Sequence, residues 1–340
     1  MKHRERIKAI IAGEPADRCG FWLGLPVPET WPILCAYFGK ETEEEVRLML
    51  GDDFRLLSPT FMGTTYNHPP WTPFPTNMAG GVFHPAAGPL AHVERVEQLD
   101  QYDWPDLDYL TFDEALAALD NAGDVYRASG FWTHFYHHLM DMFGMQEYFV
   151  KMLTHPDVVH AATDRVCGFY YEANRRFFEA AGDRMDGFMF ANDLGTQRDL
   201  MVGPKQVAEF ILPWYRKFSA LAHSYGYQVI YHSCGSIYPV IGELIATGID
   251  CLHPLQARAV NMDAATLARE FGGRVAFMGG IDVQDLMVRG SPDDVRREVR
   301  RVSALLGPRY IVSPSHEGVL PDVPPANIAA LAQAITEIDW

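Results

Sequence analysis

From residue 187 onward the chain alternates short apolar runs with longer stretches whose apolar positions recur every three or four residues. The first pattern predicts strands and the second amphipathic helices, because side chains alternate along a strand but return to one face of a helix every 3.6 residues. Strands are expected at 187–191, 227–232, 249–253, 274–278 and 310–313. Helices are expected at 204–224, 237–246, 262–271 and 324–338, with one more after residue 290. In 204–224 the stripe is Val207, Phe210, Ile211, Trp214, Phe218 and Leu221, with Pro204 in the first turn. The helix after residue 290 has a clear start: Ser291 at the N-cap, Pro292 at N1, and Asp293 and Asp294 in the first turn.

Five strand–helix pairs in a row imply a parallel sheet, since parallel neighbours need a crossover between them. Earlier apolar runs at 19–23, 54–58 and 125–129 bring the strand count to eight, with helices at 29–38 and 43–50. Eight strands suit a closed (β/α)8 TIM barrel, and no Gly-x-Gly-x-x-Gly turn points to the doubly wound alternative. The reading is one α/β domain over 1–340 with an N-terminal extension. Two insertions, 59–104 and 131–157, interrupt it. The first is rich in Pro, Gly and aromatics, and the second carries His134, His137 and His138. Segments inserted after barrel strands shape the active-site mouth, although such aromatics also simply pack on the rim.

Composition narrows the function. The chain has 340 residues, 48% hydrophobic and 21% charged, which needs no disulfide support. Its cysteines are few and scattered, as expected of reduced thiols in a cytoplasmic protein. A formal charge of −16 would repel phosphate backbones, which excludes a nucleic-acid partner. No run approaches the roughly 18 apolar residues of a membrane helix. A small-molecule substrate and a soluble protein partner remain, with a homodimer as a further option.

The strand at 227–232 runs into Ser233-Cys234-Gly235, so His232 and Cys234 project from the same face at the strand's carboxyl end. Barrel enzymes keep their chemistry there, and imidazole and thiolate are preferred zinc donors. Alone, the pair is as readily a buried histidine beside an inert cysteine. A third donor, His316, follows the strand at 310–313.

Four motifs in order resemble the uroporphyrinogen decarboxylase superfamily. They are Arg4-Glu-Arg-Ile-Lys-Ala-Ile-Ile-Ala-Gly-Glu, His232-Ser-Cys-Gly, Gly279-Gly-Ile-Asp and Pro321-Asp-Val-Pro-Pro-Ala-Asn-Ile. That resemblance implies a TIM barrel and two branches. One is the decarboxylases, and the other is zinc-dependent methyltransferases that work with corrinoid proteins. Porphyrinogen decarboxylases meet their carboxylate-rich substrate with arginines near the N-terminus. Here the matching stretch is Cys19-Gly-Phe-Trp-Leu-Gly-Leu-Pro, with no Lys or Arg between Arg18 and Lys40. Unpaired carboxylates against Phe21, Trp22 and Leu23 would be costly, so haem synthesis is not expected.

The methyltransferase branch implies zinc held by His-x-Cys and a late cysteine. His232 and Cys234 match, and His316 stands where the late cysteine is missing. Two imidazoles and one thiolate leave zinc about +1, a stronger Lewis acid than a neutral set. That favours an ether oxygen over a thiol as the group polarised. The expected function is therefore O-demethylation of a methoxylated aromatic substrate, with zinc as cofactor and cobalamin supplied by a partner corrinoid protein. Methyl transfer from methylcobalamin to a thiol, a non-porphyrin decarboxylase and a non-catalytic zinc protein stay open.

Other candidates are less sharply defined. Asp193 would bind metal, orient an imidazole, act as a proton donor, or cap a helix. Trp22, Phe61, Tyr66, Trp71 and Phe74 would form an aromatic approach. Asn192, Gln197, His253 and Asp282 are placed to meet substrate, with His253 an alternative ligand and Asp282 also able to stabilise its own turn. Glu317 beside His316 is of the same kind.

Overall fold

The computed structural model describes residues 1–61, 65–75 and 88–338. Parts of the 59–104 insertion (62–64 and 76–87) and the last two residues of the expected 1–340 domain lie outside the described residues.

The eight expected strands are all present: β1 (Gly20–Phe21), β2 (Phe54–Leu56), β3 (Tyr126–Ser129), β4 (Gly187–Ala191), β5 (Gln228–His232), β6 (Cys251–His253), β7 (Ala276–Ile281) and β8 (Tyr310–Pro314). Neighbours in sequence pair in parallel from β2 through to β8, and β8 pairs with β1. The remaining seam, β1 to β2, is joined where the Asp53 N–H donates to Phe21 O at 2.9 Å and the Asp53 carboxylate accepts the Phe21 N–H. The result is a TIM barrel with helices around it. A short parallel ladder, Leu25–Pro26 against Gly318–Val319, ties the loop after β1 to the loop after β8.

Two apolar clusters hold this together. The larger lies between strands and outer helices; the smaller fills the barrel. The smaller one includes Phe54, Met189, Ile230, Met278 and Ile311 from the strands and Ile7, Ile10 and Ile11 from the helix His3–Ala12. That helix therefore plugs the amino-terminal end of the barrel, and the opposite end is left for chemistry.

The expected helices appear as Thr30–Phe38, Glu43–Leu50, Ala264–Phe271, Pro292–Leu306 and Pro325–Thr336. Ser291 caps as expected, accepting the Asp294 N–H. The stretch 204–224 departs in one detail. Five π-helical residues, Val207–Ile211, precede Leu212–Ser224. Pro213 lacks an N–H and its ring crowds the preceding turn, so the widened turn lets the chain continue. The insertion after β3 contributes helices Phe135–Phe143 and Met145–Thr154, followed by the 26-residue helix Pro156–Ala181. Among the described residues no helix is long and apolar enough to cross a membrane.

Candidate metal centre

Register sets the site. Ala191 on β4 pairs with His232 on β5, and His232 pairs with His253 on β6. Because faces alternate, Asp193 and Cys234 follow Ala191 and His232 on the same side, one step further toward the mouth. The ladder continues past the strands through Asn192 N–H to His232 O at 3.1 Å and Ser233 N–H to His253 O at 3.0 Å. Two loops then close on each other. Gly235 takes φ +87, and a Cβ there would lie 2.3 Å from the Gly195 backbone. Only glycine lets the Cys234 loop nest against the Asp193 loop.

The side chains meet closely. His232 Nε2 lies 3.5 Å from Cys234 Sγ and 3.4 Å from Asp193 Oδ1. Asp193 Oδ1 also accepts the Cys234 N–H at 2.8 Å, which locks the two loops in register. Gln256 Oε1 accepts the next N–H, that of Gly235, at 2.6 Å. His316 and Glu317 make a second set with Cys234, and donor atoms within each set lie within 4.8 Å of one another. Cys234 is thus shared. His232 and His316 fall in different sets, and Asp193 is the third member of the set with His232 and Cys234.

No metal is described, so the fit rests on the donors. A tetrahedral zinc with Zn–N near 2.05 Å and Zn–S near 2.3 Å has N–S edges of about 3.5 Å and N–O edges of about 3.3 Å. The observed 3.5 and 3.4 Å match those edges. Electrostatics point the same way. Burial would strip the proton from His232, yet Glu317, Cys234 and Asp193 together hold its pKa well above the ordinary value. Burial pushes Asp193 up, but His232, His137 and the Cys234 N–H pull it well below the usual carboxylate range. His316 is pushed up to about 9, first by its bond to Cys234, against burial and with help from Glu317. A cluster that grips protons this way is short of positive charge, and a dication that displaces those protons supplies it.

The set opens on a cavity of about 290 Å³. Leu25, Phe61 and Trp132 form its apolar wall; His134, His137, Asp193, His232 and Glu317 give its polar side. None of these lining residues is a lysine or arginine. Trp132 packs on His232 with ring centres 5.2 Å apart, and Phe61 on Trp132 at 5.3 Å. Thr133 holds φ +56, an uncommon conformation for a branched residue, at the turn between Trp132 and His134. Burial pushes the pKa of His134 and His137 down, which keeps both imidazoles neutral.

Of the residues expected to meet substrate, Phe61 lines this cavity and the others lie elsewhere. Trp22 is buried behind it, 5.1 Å from the His253 ring. Asn192 is fully buried, and its side chain accepts the Tyr136 N–H and donates to Thr133 O, fastening the inserted helix to β4. Tyr66 faces a separate hollow with His68, Tyr102, Trp104 and Tyr109, and its hydroxyl accepts the Asp106 N–H. Gln197 is exposed on its loop. Asp282 accepts the Gln284 and Leu286 N–H groups and pairs with Arg258, so it holds its own turn. Phe74 is buried against His138, Phe169 and Tyr170, and Trp71 is exposed. His138 bonds Tyr170 at 2.6 Å. Sequence reasoning did not single out Trp132 or Gln256. Neither carries a motif, and each is placed by a loop that only the folded chain brings to the site.

The family description "Uroporphyrinogen decarboxylase (URO-D)" matches residues 76–338. A uroporphyrinogen decarboxylase from Chlorobium phaeobacteroides is 27% identical over 135 residues, 38% of this chain and 36% of the relative. One from Legionella pneumophila is 37% identical over 78 residues, 22% of this chain and 21% of the relative. The chain therefore matches about a third or less of the length of these relatives. Among solved structures, a methyltransferase from Methanosarcina mazei has the same fold, with a TM-score of 0.66 at 16% identity over 99% of each chain. Since the match spans most of its length and the eight-stranded barrel agrees, the chain belongs to the uroporphyrinogen decarboxylase (URO-D) family.

Proposed function

We propose that the protein is a zinc-dependent methyltransferase that takes a methyl group from a methoxylated aromatic compound and passes it to a corrinoid carried by a partner protein. The observation that carries this reading is the compact His232–Cys234–Asp193 set opening on an aromatic-walled cavity. Zinc bound there would polarise the ether oxygen, and the reduced corrinoid would supply the electron pair that takes the methyl group. The chain's own residues do the rest. Trp132 and Phe61 offer flat apolar faces to a ring and keep water from its edges. The neutral His134 and His137 offer hydrogen bonds without competing as cations. Asp193, held ionised, serves as donor or as an anchor for the Cys234 loop rather than as a proton source.

The relatives' names point to decarboxylation, but a cavity walled by two carboxylates and by no lysine or arginine is unsuited to a polycarboxylate. A second reading, transfer of methyl from methylcobalamin to a thiol, draws support from Asp193. With one imidazole, one thiolate and one carboxylate, zinc is formally neutral, which removes the extra Lewis acidity that a His316 ligand would give. One assay separates the two. Zinc-loaded protein, reduced cobalamin and a panel of methoxyarenes should yield methylcobalamin and the corresponding phenols. If no methylcobalamin forms, while a thiol consumes added methylcobalamin, the second reading replaces the first.

A further inference from the structure

His253 is poorly placed to touch a substrate. It is fully buried and absent from the cavity wall, with its ring 5.1 Å from Trp22 and 5.0 Å from His232. Its Nδ1 lies 2.9 Å from His232 Nδ1, and its Nε2 is buried without a hydrogen-bond partner. We propose that His253 is a positioning residue: it accepts a hydrogen bond from His232 Nδ1–H and so fixes the tautomer that turns a bare Nε2 toward Cys234 and Asp193. This inference rests on the metal reading of that cluster.

Donors and acceptors decide between the two tautomers. Two ring nitrogens at hydrogen-bond distance share one proton, and a neutral imidazole carries only one N–H. Suppose His253 were the donor. His232 would then hold its own proton on Nε2, aimed at Cys234 Sγ and Asp193 Oδ1, with no lone pair left for a metal. With His232 as donor, the lone pair falls inside the donor set. His253 Nε2 stays unpartnered in either arrangement, so the orphan nitrogen does not choose between them; the donor set does. Glu317, the nearby carboxylate, is 3.8 Å from His232 Nδ1, beyond a hydrogen bond. The outer nitrogen of a metal-bound histidine is usually met by a carboxylate, a carbonyl or water. Here the adjacent strand supplies an imidazole. Because His232 and His253 are register partners on paired parallel strands, the rings are held at one level by the barrel itself.

Asparagine and glutamine at residue 253 discriminate. An asparagine Oδ1 reaches the place of Nδ1 and can accept; a glutamine amide reaches the place of Nε2 and cannot. Zinc affinity is read by chelator competition, the cobalt-substituted protein by its sulfur-to-metal absorption, and folding by circular dichroism and thermal melts. The expected result is that His253→Asn keeps affinity and spectrum close to wild type. His253→Gln should lose about 10–100-fold in affinity, the loss typical of such partners, with a shifted cobalt spectrum. The inference is overturned if His253→Gln binds as tightly as wild type. It is equally overturned if both variants fold and lose affinity alike, which would mark a different role for the ring. Wild-type protein that takes up no zinc overturns the metal reading and this inference together, whereas bound zinc with indistinguishable variants overturns this inference alone.

Discussion

The two ends of the barrel handle buried acid in opposite ways. At the amino-terminal end each of three buried carboxylates has arginine on it. Asp53, fully buried, meets His3 at 2.5 Å, Arg6 at 2.6 Å and Arg18 at 2.8 Å. Asp52 meets Arg47 at 2.7 Å and Arg55 at 3.5 Å, and Asp186 meets Arg4 at 2.7 Å and Lys8 at 3.5 Å. At the mouth, Asp193 and Glu317 face imidazoles and a thiol, and Glu317 Oε2 is buried with no hydrogen-bond partner. The first end spends its charges on holding the plug helix and closing the β1–β2 seam. At the second the counter-charges are protons held on His232 and His316, which a bound metal cation would displace.

Breaking one end should leave the other intact. The largest effect is expected from Asp53→Asn, which strips Arg18 of its carboxylate and leaves the buried Arg6 with Asp17 alone. Urea unfolding should show a loss of about 3–5 kcal/mol, with zinc content per folded chain unchanged. Reduced zinc content in the folded fraction would show that the two ends are coupled after all. Next is Cys234→Ala, which removes the donor both sets share. Zinc affinity should fall by about 100-fold or more, given the roughly 10–16 kcal/mol that a full set of zinc donors can supply. Metal-free stability should barely move.

Two smaller effects sharpen the mouth itself. Asp193→Asn keeps the hydrogen bond to the Cys234 N–H yet removes the charge, and should weaken zinc by about 10–100-fold. His316→Gln should cost less, since His316 is 47% exposed and sits in the other set. If their order is reversed, His316 rather than Asp193 stands beside His232 and Cys234, and the more electrophilic zinc expected from the sequence is restored.

The smallest effect is a pH dependence of the metal-free protein. The His316 pKa is raised from 6.5 to about 9, so its contribution to stability is complete below about pH 6.5 and lost as pH rises through 9. Urea unfolding of metal-free protein at pH 6.5 and 9 should show that decline, and His316→Gln should flatten it. Zinc uptake should run the other way, tightening over the same interval as the protons leave. A decline of equal size in the variant would assign the slope to another group.

Most of the fold was legible in the sequence because barrel strands and their helices announce themselves locally. The run Gly-Phe-Met-Phe-Ala became β4 residue for residue, and Ser291-Pro292 began its helix where capping rules put it. The helix Pro156–Ala181 was not anticipated, since the second insertion was drawn through its first residues and its length rests on packing against the helices Phe135–Phe143, Met145–Thr154 and Leu212–Ser224. The site was legible only in part. Strand alternation brings His232 and Cys234 together, as their spacing requires. Which third donor joins them depends on how the loops after β4 and β8 fold over the mouth, and no local pattern encodes that. The same holds for Trp132, and for Tyr66, which the first insertion carries off to its own hollow.

The central claim is that the mouth holds a metal through one sulfur, and X-ray absorption at the zinc edge tests it most directly. Protein purified with zinc should carry about one zinc per chain, with a single sulfur near 2.3 Å and nitrogen or oxygen donors near 2.0–2.1 Å. Loss of the sulfur shell in Cys234→Ala would complete the result. A chain that holds no zinc, or a zinc surrounded by oxygen and nitrogen alone, would contradict it.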